Sequence, residues 1–203
     1  MTTISIIGSG NMAGAIGRRA AQHGHTVEVM SRDTAKSQAL ADQIGDGATV
    51  GTFGARPVGD IVVLAVLHTG ALDVVAQYGD ALAGKILIDI TNPFNPDASG
   101  VVTSPGDSVS QQIAGAAPAS TRVIKAFNTV FRGVLAADGP LDIFFAGGDA
   151  ESRQRFAEFL ESLGIRPLDA GGMESTHALE WAAILLMGLA RNGSGFDVAF
   201  GAK

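Results

Sequence analysis

The sequence contains no cysteine among its 203 residues. That excludes disulfides, thiolate metal ligands and thiol catalysis, and fits a cytoplasmic protein. Histidine is nearly as scarce: His23, His25, His68 and His177 show no ligand spacing beyond the close pair His23/His25, so no metal site is expected. There is no basic tract, since 14 Lys and Arg stand scattered against 20 Asp and Glu, for a formal net charge of −6. General binding of nucleic acid or of an anionic membrane is therefore not expected. The longest uncharged apolar run, Trp181 to Ala190, is about half the length a membrane span needs. Met1 leads straight into a core strand, so no signal peptide is expected. A nucleophilic serine is not supported either, because Gly193-Ser194-Gly195 follows a helix and lacks the strand-turn-helix setting of a nucleophile elbow.

What the chain does have is apolar residues, 46% against 17% charged, which makes it globular. It also has 27 glycines, roughly twice ordinary usage, without a repeat. Short apolar runs alternate with helical patterns. Strands are expected at Thr3–Ile7, Thr26–Ser31, Ala48–Gly51, Asp60–Leu67, Lys85–Ile90, Arg122–Phe127, Leu141–Ala146 and Ile165–Leu168. Helices are expected at Asn11–His23, Thr34–Ile44, Thr69–Tyr78, Ser108–Ala116, Thr129–Ala137, Ala150–Leu163 and Glu174–Arg191. Continuously apolar strands separated by helices imply an α/β fold with a doubly wound, mostly parallel sheet. No linker is visible, so residues 1–203 read as one domain, with 170–203 as a small C-terminal helical extension. The final helix is apolar nearly all round, which predicts burial in the core or against a partner subunit.

The motif that carries chemistry comes first in the chain. Gly8-Ser9-Gly10-Asn11-Met12-Ala13 follows a strand and opens a helix, matching G-x-G-x-x-A. Gly8 permits the tight turn, Gly10 lets a pyrophosphate approach the backbone, and Ala13 keeps helix and sheet close. The helix start offers free N–H groups and a positive dipole end to phosphate. The second strand then distinguishes the cofactor. An NAD site would end it with Asp or Glu on the ribose hydroxyls; here it ends Met30-Ser31-Arg32, with Lys36 one helical turn on. A hydroxyl and two cations suit a 2′-phosphate, while Asp33 suits the N-cap of the next helix. NADP(H) is the expected cofactor of this dinucleotide-binding domain.

These stretches, together with Asp60–Val66, Asp89-Ile90-Thr91-Asn92-Pro93, Val123 to Thr129, Gly147-Gly148-Asp149 and Leu179-Glu180, resemble the F420-dependent NADP oxidoreductase family over essentially the whole chain. The Lys-Ala-Phe-Asn-Thr stretch at 125–129 is also similar to the reductase domain of membrane metalloreductases. The resemblance implies a Rossmann-type fold, a homodimer, and hydride transfer between NADPH and a deazaflavin (F420) or flavin stacked on the nicotinamide. It further implies that Ser9, Ser31, Arg32 and Lys36 hold the adenosine phosphate and pyrophosphate, and that Val66, Leu67, His68, Asn92 and Pro93 border the nicotinamide. It places Asn128 near the ring pocket.

Several of these residues admit a plainer role. His68, after a strand end, could bond the carboxamide or acceptor, protonate a reduced ring, or be a loop residue only. Lys125 could neutralise a reduced flavin or pair with Asp89 or Glu180, and Asn128 could bond a ring carbonyl or cap the helix expected at Thr129. His177 reads as a capping or interface residue. F420 carries an acidic tail, and the basic residues near the later loops, Lys125, Arg132, Arg166 and Arg191, form no cluster in the sequence. FMN, FAD, a quinone or a metal chelate are therefore alternative acceptors. Two further readings stay open. One is a non-catalytic NADP(H)-binding sensor or partner module. The other is an imine reductase, since Gly10 to Ile16 is similar to the start of pyrroline-5-carboxylate reductases.

Overall fold

A computed structural model of the chain describes residues 1–137 and 139–202. Strands and helices alternate as β1 (Thr3–Ile7), α1 (Asn11–Gln22), β2 (Thr26–Met30), α2 (Thr34–Ile44), β3 (Thr49–Val50), β4 (Ile61–Leu64), α3 (His68–Tyr78), β5 (Ile86–Asp89) and α4 (Val109–Ala116). The second half continues as β6 (Arg122–Lys125), α5 (Arg132–Ala136), β7 (Leu141–Gly147), α6 (Ala150–Ser162), β8 (Ile165–Asp169) and α7 (Thr176–Leu189). All eight strands form one sheet in the order β3-β2-β1-β4-β5-β6-β7-β8. This is the doubly wound Rossmann order with two strands added at one edge.

Alternation along each strand feeds two core layers. On β4, Ile61 and Val63 pack with α1, α2, α5 and α6, while Val62 and Leu64 pack with α3 and α4. The sheet is parallel except where β7 runs against β6. The connection there carries only the short α5, too little for a parallel crossover. The parallel register levels the strand ends: Met30 pairs with Ile7, Ile7 with Leu64, Leu64 with Asp89 and Asp89 with Lys125. Every one of these residues is buried, so the chain's carboxyl-edge chemistry stands on a rigid row.

Three elements differ from expectation. β4 stops at Leu64: the Ala65 N–H still donates to the Ile7 carbonyl at 2.8 Å, and the chain then leaves the sheet at Val66 and Leu67 and enters α3. The helix expected at Thr129 begins only at Arg132. Phe127 has φ +59, a left-handed conformation costly for a bulky residue, and 127–130 form a turn instead. Its ring is buried edge-on to Phe156 at 6.1 Å, and that packing holds the strained turn. Finally, α7 buries one face, Thr176, Leu179, Glu180, Ala183 and Leu186, but leaves Trp181, Leu185 and Leu189 exposed along the other. Among the described residues, no helix is long and apolar enough to cross a membrane.

Candidate active site

A crevice of about 770 Å3 opens at the carboxyl edge between β1 and β4, where the strand order reverses. Gly8, at φ +129, donates its N–H to the Met30 carbonyl at 2.8 Å. A Cβ there would collide with the Ala65 carbonyl, so only glycine lets β1 turn this tightly beside β4. Gly10, by contrast, has nothing within 4 Å of where a Cβ would stand: the space above it is open to a ligand. Gly10 is also the N-cap of α1, whose first turn has no side-chain cap and no acid. The first turn of α3 is the same and also faces the crevice through His68, Thr69 and Gly70. Two uncapped helix starts converge on one cavity, and this donor set fits a pyrophosphate-bridged dinucleotide.

At one end of the crevice stand Ser31, Arg32 and Asp33, just after β2, and Lys36 in the first turns of α2. Asp33 caps α2 by accepting the Lys36 N–H at 3.1 Å, and its carboxylate lies 3.6 Å from the Lys36 ammonium. Ser31 Oγ donates to the Asp33 carbonyl at 2.8 Å and meets Ser37 Oγ at 2.7 Å, which fixes its direction. The Arg32 guanidinium lies 5.7 Å over the Phe53 ring, itself edge-on to Tyr78 at 5.3 Å. Phe53 was invisible to sequence reasoning, because a single aromatic after a two-residue strand carries no motif. It gives this end an aromatic floor with cations at its rim.

Toward the other end the wall is Val66, Leu67, His68, Ile90, Thr91, Asn92 and Phe94. Leu67 is 79% exposed, an apolar rim residue. Phe94 was also missed by the sequence reading. Pro93 lies behind this wall: it is buried, and its carbonyl accepts the Val102 N–H at 2.8 Å. Asn128 is buried behind it too. Its Nδ2 donates to Asn92 Oδ1 at 3.0 Å and to the Leu179 carbonyl at 2.8 Å, and Asn92 Nδ2 returns a bond to the Asn128 carbonyl at 2.9 Å. Asn128 therefore does not cap a helix; it locks the Asn92 amide, while its own buried Oδ1 finds no hydrogen-bond partner among the described residues.

Directly beneath stands a fully buried ionic cluster. Lys125 Nζ donates to Asp89 at 2.9 Å, to Glu180 at 3.0 Å and to the Thr91 carbonyl at 2.8 Å. Ser110 donates to Asp89 at 2.6 Å, and the Val109 N–H donates to Glu180 at 2.9 Å. Of the two roles open to Lys125, the structure displays the ion pair, with both carboxylates at once. Burial pushes the Glu180 carboxyl above its ordinary value, and the attraction of Lys125 opposes this only in part. The cluster ties β5, β6, α4 and α7 together under the Thr91-Asn92 wall.

The sequence profile of the family described as "NADP oxidoreductase coenzyme F420-dependent" matches residues 3–93, from β1 to the end of the Asn92-Pro93 wall. The chain is 29% identical over 191 residues to a metalloreductase of Rattus norvegicus, covering 91% of this chain and 37% of that one. It is 28% identical over 139 residues to the F420-dependent NADP reductase of Methanocaldococcus jannaschii, covering 64% of this chain and 62% of that one. The chain thus spans less than two thirds of the length of either relative. A solved structure from Arthrobacter sp. FB24 shares the fold over 100% of both chains, with TM-score 0.87 at 23% identity. Fold and crevice make the protein a Rossmann-type dinucleotide-binding domain, and the matched profile likens its first half to NADP oxidoreductases. Within that class its resemblance is to the F420-dependent NADP oxidoreductases.

Proposed function

We propose that the protein transfers hydride between NADPH and a deazaflavin (F420) or flavin ring lying against the nicotinamide. The observation that carries this is the single continuous crevice, cation-rimmed at Arg32 and Lys36 and apolar at the Val66–Leu67–Phe94 end. Hydride transfer between two rings needs stacking and exclusion of water more than a strong acid or base. In this reading Ser9, Gly10, Asn11 and Met12 receive the pyrophosphate on the α1 N-terminus, and Gly8 shapes the turn. Ser31, Arg32 and Lys36 take the 2′-phosphate. Val66, Leu67 and Asn92 border the nicotinamide, with Pro93 stiffening that wall. His68, half-buried at the start of α3, faces the reacting rings and can donate a hydrogen bond or a proton to the reduced acceptor. Asn128 acts through Asn92, as a positioning residue.

The test is anaerobic mixing of the protein with NADPH and oxidised F420, then with FMN. Bleaching of either acceptor at a rate proportional to enzyme is the expected result. NADPH binding with no turnover of either would overturn the reading in favour of a non-catalytic nucleotide-binding module.

Gly10→Ala separates binding from folding. The added methyl meets no protein atom, so the melting temperature should stay within about 2 °C, while NADPH affinity falls about tenfold because the methyl occupies the pyrophosphate's approach. Equal affinity, measured by fluorescence titration, would remove the pyrophosphate from this turn.

We also propose that the chain acts as a cytoplasmic homodimer. Trp181, Leu185 and Leu189 recur at helical spacing on the exposed face of α7, and Trp181 and Leu185 are each more than half exposed. Sedimentation at micromolar concentration should show a dimer that Leu185→Glu dissociates; a wild-type monomer would refute it.

A further inference from the structure

A second cleft, of about 330 Å3, runs along the outer side of α1. Ser9, Gly10, Asn11 and Lys36 line both cavities, so the two are continuous across the glycine turn. Beyond that shared edge the cleft is lined by Arg18 from α1, Leu40 and Gln43 from α2, and Arg132 at the start of α5. It therefore holds three cations and no carboxylate. Arg18 is half-buried, its guanidinium nitrogens folded back to 3.6 and 3.7 Å from where a Cβ on Gly14 would stand. Among the described residues neither Arg18 nor Arg132 has an ion pair or a hydrogen bond, unlike Arg122, Arg153 and Arg166, each of which meets an Asp. Lys36 has the Asp33 carboxylate beside it, but Arg18 and Arg132 meet no acid; two such cations on one cleft repel each other, and the half-buried one is partly desolvated as well. Such a cluster is stabilised by an anion.

The phosphates of NADPH are already matched to other groups: the 2′-phosphate to Ser31, Arg32 and Lys36, the pyrophosphate to the α1 N-terminus. Arg18 and Arg132 are left over. We propose that this cleft binds the anionic tail of the hydride acceptor, a phosphodiester or short oligocarboxylate extending from the ring that lies at the nicotinamide. The proposal rests on the acceptor reading above and adds to it a specificity site. It selects acceptors by a tail remote from the reacting ring. The sequence hides the cluster because its members come from α1, α2 and α5, which only the packing of α1 against both other helices brings together.

The test compares F420 with the same deazaflavin cut back to its ribityl alcohol, which lacks phosphate and carboxylates. Affinities are measured by calorimetry on the NADP+-saturated protein, wild type and Arg132→Gln. Arg132 is exposed, so the variant should fold normally. Intact F420 is expected to bind about tenfold more tightly than the truncated form in the wild type, a margin that shrinks with salt. Arg132→Gln should erase most of that margin while leaving truncated-acceptor and NADPH affinities unchanged, and Arg18→Gln should do the same. Equal wild-type affinities for the two acceptors would overturn the proposal, as would an equal loss of NADPH affinity in the variants. If neither deazaflavin binds, inorganic tripolyphosphate decides. Binding that depends on Arg132 keeps the anion site and sinks only the acceptor reading; no binding sinks both.

Discussion

Replacing Lys125 with Met is expected to lower the melting temperature by roughly 6–20 °C at neutral pH, from about 3–5 kcal/mol lost when a buried ion pair is broken on one side. The ammonium is fully buried between Asp89 and Glu180, so its removal leaves two buried carboxylates facing each other without a counter-charge. The loss should depend on pH with a definite sign. Burial already holds the folded Glu180 carboxyl above its ordinary value of 4.5, and removing Lys125 raises it further. A carboxyl with a raised folded pKa binds more protons folded than unfolded between the two values. Stability then rises as pH falls through the folded pKa and levels off below the unfolded one. The Lys125→Met deficit should therefore be largest near pH 8 and shrink toward pH 5. Adding Glu180→Gln should recover part of it at pH 8, because one of the two uncompensated charges goes. Thermal melts of the single and double variants across that range check both points; a deficit independent of pH would mean that Glu180 does not carry the excess charge. The cluster also holds the Thr91 carbonyl, so surviving variant protein should show a raised KM for NADPH with the crevice wall loosened.

How far the sequence could be read follows from how local each feature is. The β1–α1–β2 unit was legible because its signals are contiguous: an apolar strand, glycines at 8 and 10, and a helix start. So was the Asp33 cap, an N-cap residue at the predicted position that accepts from Lys36. The pairing of Lys125 could be foreseen as one alternative, since an ammonium inside an apolar strand needs a carboxylate; that it takes both Asp89 and Glu180 could not. Asn128 shows where local reasoning fails. An Asn before a helical pattern predicts a cap, but Phe127 adopts a left-handed turn stabilised by distant Phe156, and the helix starts three residues late. The all-round apolarity of α7 was legible, but which residues stay outside the core, Trp181, Leu185 and Leu189, was not, because that depends on how the helix docks on the sheet. Phe53 and the Arg18–Arg132 cluster are products of packing between elements, which no period or motif records.

Arg32→Asp is expected to cut NADPH affinity by roughly 30- to 150-fold, the equivalent of about 2–3 kcal/mol for a lost charge-assisted pair, with NADH affinity unchanged or improved. The argument rests on what surrounds the guanidinium. Among the described residues it makes no ion pair, and it lies 5.7 Å over the Phe53 face, so its charge can meet a ligand phosphate at the crevice rim. Asp33 cannot substitute for the ribose-binding acid of an NAD site, because its carboxylate already caps α2 and lies against Lys36. A new carboxylate at 32 would both remove the cation and repel the 2′-phosphate, whereas NADH brings two hydroxyls there that a carboxylate can accept from. Arg32→Lys separates the two contributions. It keeps the charge but gives up the planar stack on Phe53, so it should cost less than the acidic variant and fall mainly on contacts shared by both nucleotides. An NADPH/NADH affinity ratio unchanged by Arg32→Asp would move the 2′-phosphate away from this end of the crevice, leaving Ser31 and Lys36 without the role assigned to them.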